Sequence, residues 1–159
     1  MAKTNVNDKK YKKTLIIAIS SILILLFLFI LFYGNQYKKE DVCIGNKACF
    51  EAQIADTAGQ RVLGLSGRDS LNDSQAMLFI FPQNLIPGFW MKNMKFPVDI
   101  IWIDENWKVE GIKKNVQPCS EDICNSVYPN QGIKYVLEVN AGLSDKYGFA
   151  EGDSVEAEK

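Results

Sequence analysis

Histidine is absent from the 159 residues. Its absence removes the usual general base near neutral pH and the commonest metal ligand. Serine-triad, papain-like and zinc-hydrolase chemistries are excluded in their usual forms. The four cysteines contain no CxxC. They fall instead in two close pairs, Cys43/Cys49 and Cys119/Cys124. Without histidine a metal site would need all four thiolates. Two local disulfides are therefore the preferred reading in an oxidising compartment, with free thiols as the alternative. A redox couple at Cys119/Cys124 is disfavoured, because the intervening SEDI is acidic and raises thiol pKa values. No metal and no cofactor is expected. Internal repeats and low-complexity tracts are also missing.

Charge is missing altogether from residues 14–33, TLIIAISSILILLFLFILFY. The run matches the ~20 residues that a helix needs to cross ~30 Å of hydrocarbon. A cleaved signal peptide would carry a core of about 7–15 residues ending in small residues. This run is longer, it ends in Leu31-Phe32-Tyr33-Gly34-Asn35 without an A-x-A-like site, and no cysteine follows in a lipoprotein context. The expectation is an uncleaved signal anchor, with Tyr33 and Tyr37 at an aromatic belt. Lys3, Lys9, Lys10, Lys12 and Lys13 precede the run, whereas only Lys38 and Lys39 follow, beside Glu40 and Asp41. The positive-inside rule then places residues 1–13 in the cytoplasm. Residues 34–42 become a tether, and residues 43–159 a domain outside the cytoplasmic membrane, in agreement with the paired cysteines. That last segment holds 11 basic against 16 acidic residues. An acidic domain argues against a nucleic-acid partner, which needs a basic footprint.

Along the domain the pattern is of short strands. Residues 48–55 alternate Phe50, Ala52 and Ile54 with Cys49, Glu51 and Gln53, a half-buried strand. Asp56 or Thr57 caps a short helix over 58–63, with Gly64 as its stop. Residues 64–71, GLSGRDSL, read as a loop, 77–81 as a core strand, and 82–88 as a loop with two prolines. Residues 107–116 return as a hairpin strand, and 117–131 form a long loop stapled by its own disulfide. Residues 135–139 read as a strand, 143–147 as one helical turn, and 154–156 as a final short strand.

The chain is organised around residues 89–104, FWMKNMKFPVDIIWID. This stretch reads as β-strand on both sides of Pro97, with 98–103 apolar on both faces. Lys92, Asn93, Lys95 and Asp99 are polar among apolar neighbours, and such groups are costly to bury without partners. The fold class that follows is mainly β: a compact sandwich- or barrel-like domain with one or two short helices, preceded by a single transmembrane helix.

GLSGRDSL, MLFIFP, FWMKNMKFPVDIIWID, VQPCSEDIC, YVLEVNAG and GDSV, in this order and spacing, resemble the DUF192 family of uncharacterised domains, over about residues 50–155. The resemblance implies a small β-rich domain, often exported or membrane-anchored, without an established activity. It carries the family's recurrent polar positions onto Arg68, Lys92, Asn93, Asp99, Glu138 and Asn140. Met94 and Lys95 depart from the usual pattern of Thr or Met followed by an apolar residue. Cys43 and Cys49 lie outside the family core.

The candidate ligand-binding residues are Arg68, Trp90, Lys92, Asn93, Asp99, Glu138 and Asn140. Lys92 and Asn93, beside Phe89, Trp90 and Trp102, would suit a sugar or peptide ligand. The competing reading makes the aromatics core, with the lysine stem lying along them. Asp99 and Glu138 could serve as the acid and base of a cell-envelope glycan hydrolase, if ~5–9.5 Å apart across a cleft. Against this, each carboxylate could be tied to a cation or a turn, with Arg68 bridging to one of them. Ser66 and Ser70 are nucleophiles only formally, since no histidine can activate them. The leading expectation is a membrane-anchored, extracytoplasmic domain that binds a small-molecule, glycan or protein partner.

Overall fold

The computed structural model describes residues 6–33, 37–121 and 123–158. The chain separates into two units, residues 1–36 and 37–159. The first contains one helix, α1 (Val6–Tyr33). Its stretch Tyr11–Phe29, of mean hydropathy 2.2, is long and apolar enough to cross a membrane. Residues 1–5 and 34–36, which include parts of the expected cytoplasmic segment and tether, lie outside the described residues.

The second unit is a single mixed sheet of seven strands. In chain order its elements are β1 (Lys38–Ile44), β2 (Ala48–Ala55), α2 (Ala58–Leu63), β3 (Gln75–Leu85), β4 (Val98–Ile103), β5 (Val109–Val116), β6 (Ile133–Asn140), α3 (Leu143–Tyr147) and β7 (Val155–Glu158). The strand order is β5-β4-β6-β3-β2-β1-β7, and only the β2–β3 pair is parallel. The sheet curls until the starts of its two edge strands, β5 and β7, come together. Lys108 bridges Ser154, and Val109 and Val155 donate to Asp153 and Trp107 carbonyls at 2.9 and 2.8 Å. The result is a half-barrel, the mainly-β architecture expected from the strand pattern.

Side chains alternate across the strands, so the curled sheet has two apolar faces. The inner face gathers Phe50, Ala52, Ile54, Leu78, Ile101, Leu137 and Val139. The outer face gathers Met77, Phe79, Val98, Ile100, Trp102 and Val136. Two buried faces account for β4 being apolar throughout. The outer face is covered by Leu65 and Leu71 of the loop after α2 and by the segments before Pro97 and joining β5 to β6. A capping box opens α2: the Gln60 N–H donates to Thr57 Oγ1 at 3.3 Å, and the Thr57 N–H donates to Gln60 Oε1 at 3.1 Å. Thr57, not Asp56, is therefore the cap, a contribution of ~1 kcal/mol. Gly64 ends α2 at φ 51° with a Cβ position only 3.3 Å from the Phe79 ring, so any larger residue would strain the backbone and crowd the core.

Three expectations differ from the structure. Residues 38–42, the second half of the expected tether, begin β1 and pair with β2 from Lys38↔Ile54 onward. Their hydrogen-bonding partners lie beyond the stretch whose composition suggested a tether. Residues 82–85, read as loop, continue β3 past Pro82, with a register shift between Ile80 and Leu85 that accommodates a residue without an N–H. Residues 89–95, read as strand, are not one. Phe89 and Lys92 make only isolated bridges, to Val127 and Cys119, and Asn93 sits at φ 60° in a turn closed by Met94 N–H to Met91 O at 3.2 Å. Asparagine tolerates that left-handed backbone, which explains an amide amid aromatics without any need for a ligand.

Both disulfides are present. Cys43–Cys49 links directly paired residues of β1 and β2, and Cys119–Cys124 closes the loop after β5. Asp99 is fully buried on the inner face. Its Oδ1 accepts from Asn115 N–H at 2.8 Å, and its Oδ2 from Gly142 and Ser144 N–H at 3.1 and 3.0 Å. One carboxylate thus ties the bulged end of β5 to the start of α3. Asp99→Ala would strand three N–H groups, each costing ~1–3 kcal/mol. Chemical denaturation followed at the tryptophans should show a loss of at least ~3 kcal/mol, with Asp99→Asn intermediate; a loss below ~1 kcal/mol would contradict this role.

Candidate functional site

Among the described residues, Glu138 is the buried carboxyl of the outer face. Glu138 lies in a transverse row of the sheet, Gln53–Met77–Glu138–Ile100, read strand to strand from β2 to β4. It is 6 % exposed, with Met77 and Ile100 as its cross-strand neighbours. Among the described residues no donor hydrogen-bonds its carboxyl and no cation lies within salt-bridge distance. Burial pushes this carboxyl up to about 8, against the opposing pull of Arg68. At neutral pH that direction favours the uncharged acid.

Above Glu138 opens a cleft of about 290 Å³. Its walls are Leu63 and Leu65 from the α2 region, Phe79 and Phe81 from β3, and Phe89, Trp90, Met91 and Met94 from the turn segment before β4. Phe89 makes edge contacts with Phe79, Phe81 and Trp102 at centroid distances of 5.1, 6.3 and 5.3 Å. Arg61 is the cation of the lining, and it is engaged: Nη1 donates to the carbonyls of Asp56 and Ile80, and the guanidinium lies 5.4 Å above Phe81. A second, more open groove borders the first across Val62, Leu63 and Trp90, and includes Lys92 and Asn93. Trp90, 51 % exposed, stands between the two.

The stapled loop holds the outer wall in place. Phe89 and Val127 exchange two backbone hydrogen bonds of 2.9 and 2.8 Å, and Cys119 N–H donates to Met91 O at 3.1 Å. Tyr128 lies against Gly88, where a Cβ would meet its ring at 2.8 Å. Across the cleft, the loop after α2 is docked by Gly67 N–H to Asn93 O at 2.9 Å and Ser66 Oγ to Lys92 O at 3.0 Å.

The residues singled out from sequence divide accordingly. Glu138 and Trp90 line the cleft, and Trp90, Lys92 and Asn93 line the adjoining groove. Arg68 acts on Glu138 through its charge but is not in the cleft lining and makes no ion pair with it among the described residues. Its Nη2 donates to Gln53 Oε1 at 2.7 Å, and its guanidinium lies 5.6 Å over the Tyr37 ring. Tyr37, expected at a membrane interface, packs within the domain, and burial raises its phenol against the pull of Arg68. Asn140 is a fastener: its amide donates to Leu71 O and Asp73 Oδ1, both at 2.8 Å.

Asp99 and Glu138 face opposite sides of the sheet. Asp99 pairs with Val139 on the inner face, whereas Glu138 pairs with Ile100 on the outer. They do not flank one cleft, and the carboxylate pair drawn from the sequence for glycan hydrolysis is not brought together. Ser66 lines the cleft, but no base stands near it in a catalytic arrangement among the described contacts. No group of three histidine, cysteine, aspartate or glutamate residues suited to a metal occurs among the described residues. The sequence reading missed Arg61, Leu63, Phe79, Phe81, Met91 and Met94 as lining. The exposure of Val62 and Leu63 at the end of α2, which points to the cleft, is visible only in the structure.

Comparison with known proteins places this geometry in context. No curated protein sequence matches the chain. A crystal structure from Sinorhizobium meliloti 1021, of a protein assigned provisionally as a transcription regulator, is 30 % identical with a TM-score of 0.71, covering 77 % of this chain and 95 % of that one. A protein of unknown function from Novosphingobium aromaticivorans DSM 12444 is likewise 30 % identical, with a TM-score of 0.68 and coverage of 76 % and 85 %. The family model DUF192, described as "Uncharacterized ACR, COG1430", matches residues 41–157. The β domain and its Glu138 cleft thus belong to a chain that is a member of the DUF192 family.

Proposed function

We propose that this chain is a single-pass membrane protein whose β domain, outside the cytoplasm, binds a small, largely apolar ligand in the cleft floored by Glu138. The observation that carries the reading is the cleft itself: about 290 Å³, walled by aromatic and methionine side chains, with one carboxyl at its base. Ligand sites are typically apolar concavities with a few placed polar groups. A cavity of ~150 Å³ accepts benzene, so this one has room for a body of roughly twice that size.

Location is supported separately. The apolar helix is of spanning length, and lysines crowd the chain before it. Two disulfides suit an oxidising compartment. Residues 43–159, with 11 basic against 16 acidic residues, offer no electrostatic support for the regulator assignment of the Sinorhizobium relative. Glycan hydrolysis by Asp99 with Glu138 is not supported, since the two sit on opposite faces.

The β domain is suited to separate study. It has its own core, and the Sinorhizobium protein consists almost entirely of the matched fold, 95 % of its chain. Titrating the domain from Tyr37 onward with N-phenyl-1-naphthylamine, an uncharged aromatic probe, should give saturable one-to-one binding. Ala58→Trp, which fills the mouth from the exposed first turn of α2, should weaken it at least ~10-fold without lowering stability. Non-saturable binding, or binding indifferent to this substitution, would contradict the reading. In cells expressing the full chain, external protease should remove the domain, and protection of the domain would contradict its placement.

A further inference from the structure

We propose that the cleft selects ligands whose buried end is a neutral hydrogen-bond acceptor, such as an amide or ester carbonyl on an apolar body, held by the Glu138 carboxyl. The inference deepens the ligand-binding reading above and rests on it.

The argument comes from what surrounds Glu138. Along its row stand Met77 and Ile100, with Gln53 beyond the first and the exposed Lys113 beyond the second. Gln53 is already taken by Arg68. From the turn before β4, Met91 and Met94 line the cleft and carry no charge. From α2 comes Arg61, whose guanidinium is held by two carbonyls and the Phe81 ring. From the loop after α2 comes Arg68, packed over Tyr37. Among the described lining residues Glu138 is the only carboxyl, and it has no donor or acceptor of its own. Its oxygens are not among the sealed, unpartnered side-chain atoms of the core, so they are reached through the cleft, and a ligand atom that pairs with the carboxyl gains a hydrogen bond against apolar walls.

The sign of charge follows from the same groups. A cationic ligand end would require Glu138 to ionise in an apolar row, and it would approach beside Arg61 of the cleft wall, with the charge of Arg68 also felt at Glu138. An anionic end would lose its hydration against an uncharged acid, with the nearest guanidinium groups already occupied. A carbonyl oxygen avoids both difficulties: it accepts the proton of the carboxylic acid, and its apolar body covers the aromatic wall. Sites built to hydrogen-bond a ligand discriminate strongly against analogues that lack the complementary group.

Three compounds with the same eight-carbon chain provide the test: an octanamide dimethylated on nitrogen, which accepts a hydrogen bond but cannot donate one, octylamine and octanoate, titrated against the isolated domain, with N-phenyl-1-naphthylamine as the probe that reports the cleft itself. Near pH 6 the dimethylated octanamide should bind at least ~10-fold more tightly than either charged compound, as one recovered hydrogen bond implies. Its affinity should fall by a similar factor near pH 10, where Glu138 has lost its proton. Glu138→Gln, which keeps a donor that cannot ionise, should retain binding of the dimethylated octanamide at both pH values. Glu138→Leu should keep binding the naphthylamine probe while losing the preference for the amide. Tightest binding of octylamine or octanoate, or a preference that survives in Glu138→Leu, would overturn the inference and leave the cleft intact. Failure of the naphthylamine probe to bind the unsubstituted domain would instead remove the ligand-binding reading on which the inference stands.

Discussion

A carboxyl group placed in the middle of an apolar sheet must be solvated by something. This half-barrel solves the problem twice, in opposite ways, on adjacent strands. On the inner face Asp99 of β4 is surrounded by backbone: three N–H groups, from the end of β5 and the start of α3, converge on its two oxygens. Those three bonds fasten two chain segments to the sheet. On the outer face Glu138 of β6 meets Met77 and Ile100 and receives no such donors among the described residues. Its solution is to keep its proton. The cleft, its electrostatics and its proposed selectivity all depend on that second arrangement.

The remaining architecture keeps the outer face from closing over Glu138. A strand at residues 89–95 would have left no concavity. The chain instead turns at Asn93 and lays Phe89, Met91 and Met94 along the cleft as a wall. A wall without its own ladder needs support, and the loop after β5 provides it through Phe89–Val127 and Met91–Cys119 backbone bonds. The Cys119–Cys124 disulfide limits the freedom of that loop. The sequence between β5 and β6, which looks like a mere connection, is thereby part of the site. Arg68 joins from the other side by clasping Gln53 and covering Tyr37, which fixes the loop after α2 near the row that contains Glu138.

Much of this was legible in the residues themselves. Alternation of Phe50, Ala52 and Ile54 revealed β2, the two-sided apolarity of 98–103 revealed β4, and Thr57 with Gln60 marked the start of α2. The close cysteine pairs read correctly as disulfides. Where the reading fell short, the missing information was non-local. The strand character of residues 38–42 lies in their pairing with β2, not in their charged composition. Phe89 to Met94 alternates like a strand, but its one left-handed residue breaks the ladder, and asparagine signals this only weakly. Above all, parity within a strand says which residues share a face, but only register between strands says whether Asp99 and Glu138 share one. The pairing of Ile100 with Glu138 places them apart. Their equal standing as polar residues in apolar strands concealed a division between a structural fastener and the floor of a cleft.

The state of Glu138 can be read directly from stability against pH. Its folded-state pKa, raised to about 8 from 4.5, means that the native state holds a proton the unfolded chain has released across that interval. The unfolding free energy must therefore fall as pH rises from about 4.5 to about 8, and level off beyond. The lowered carboxylates Glu51, Asp69 and Asp153 act below that window, and a chain without histidine lacks the side chain that ordinarily titrates near neutral pH. Chemical denaturation of the isolated domain at a series of pH values should show this decline, and Glu138→Gln should flatten it. An equal slope in the two proteins, or stability that rises with pH through the interval, would contradict an uncharged acid at the base of the cleft.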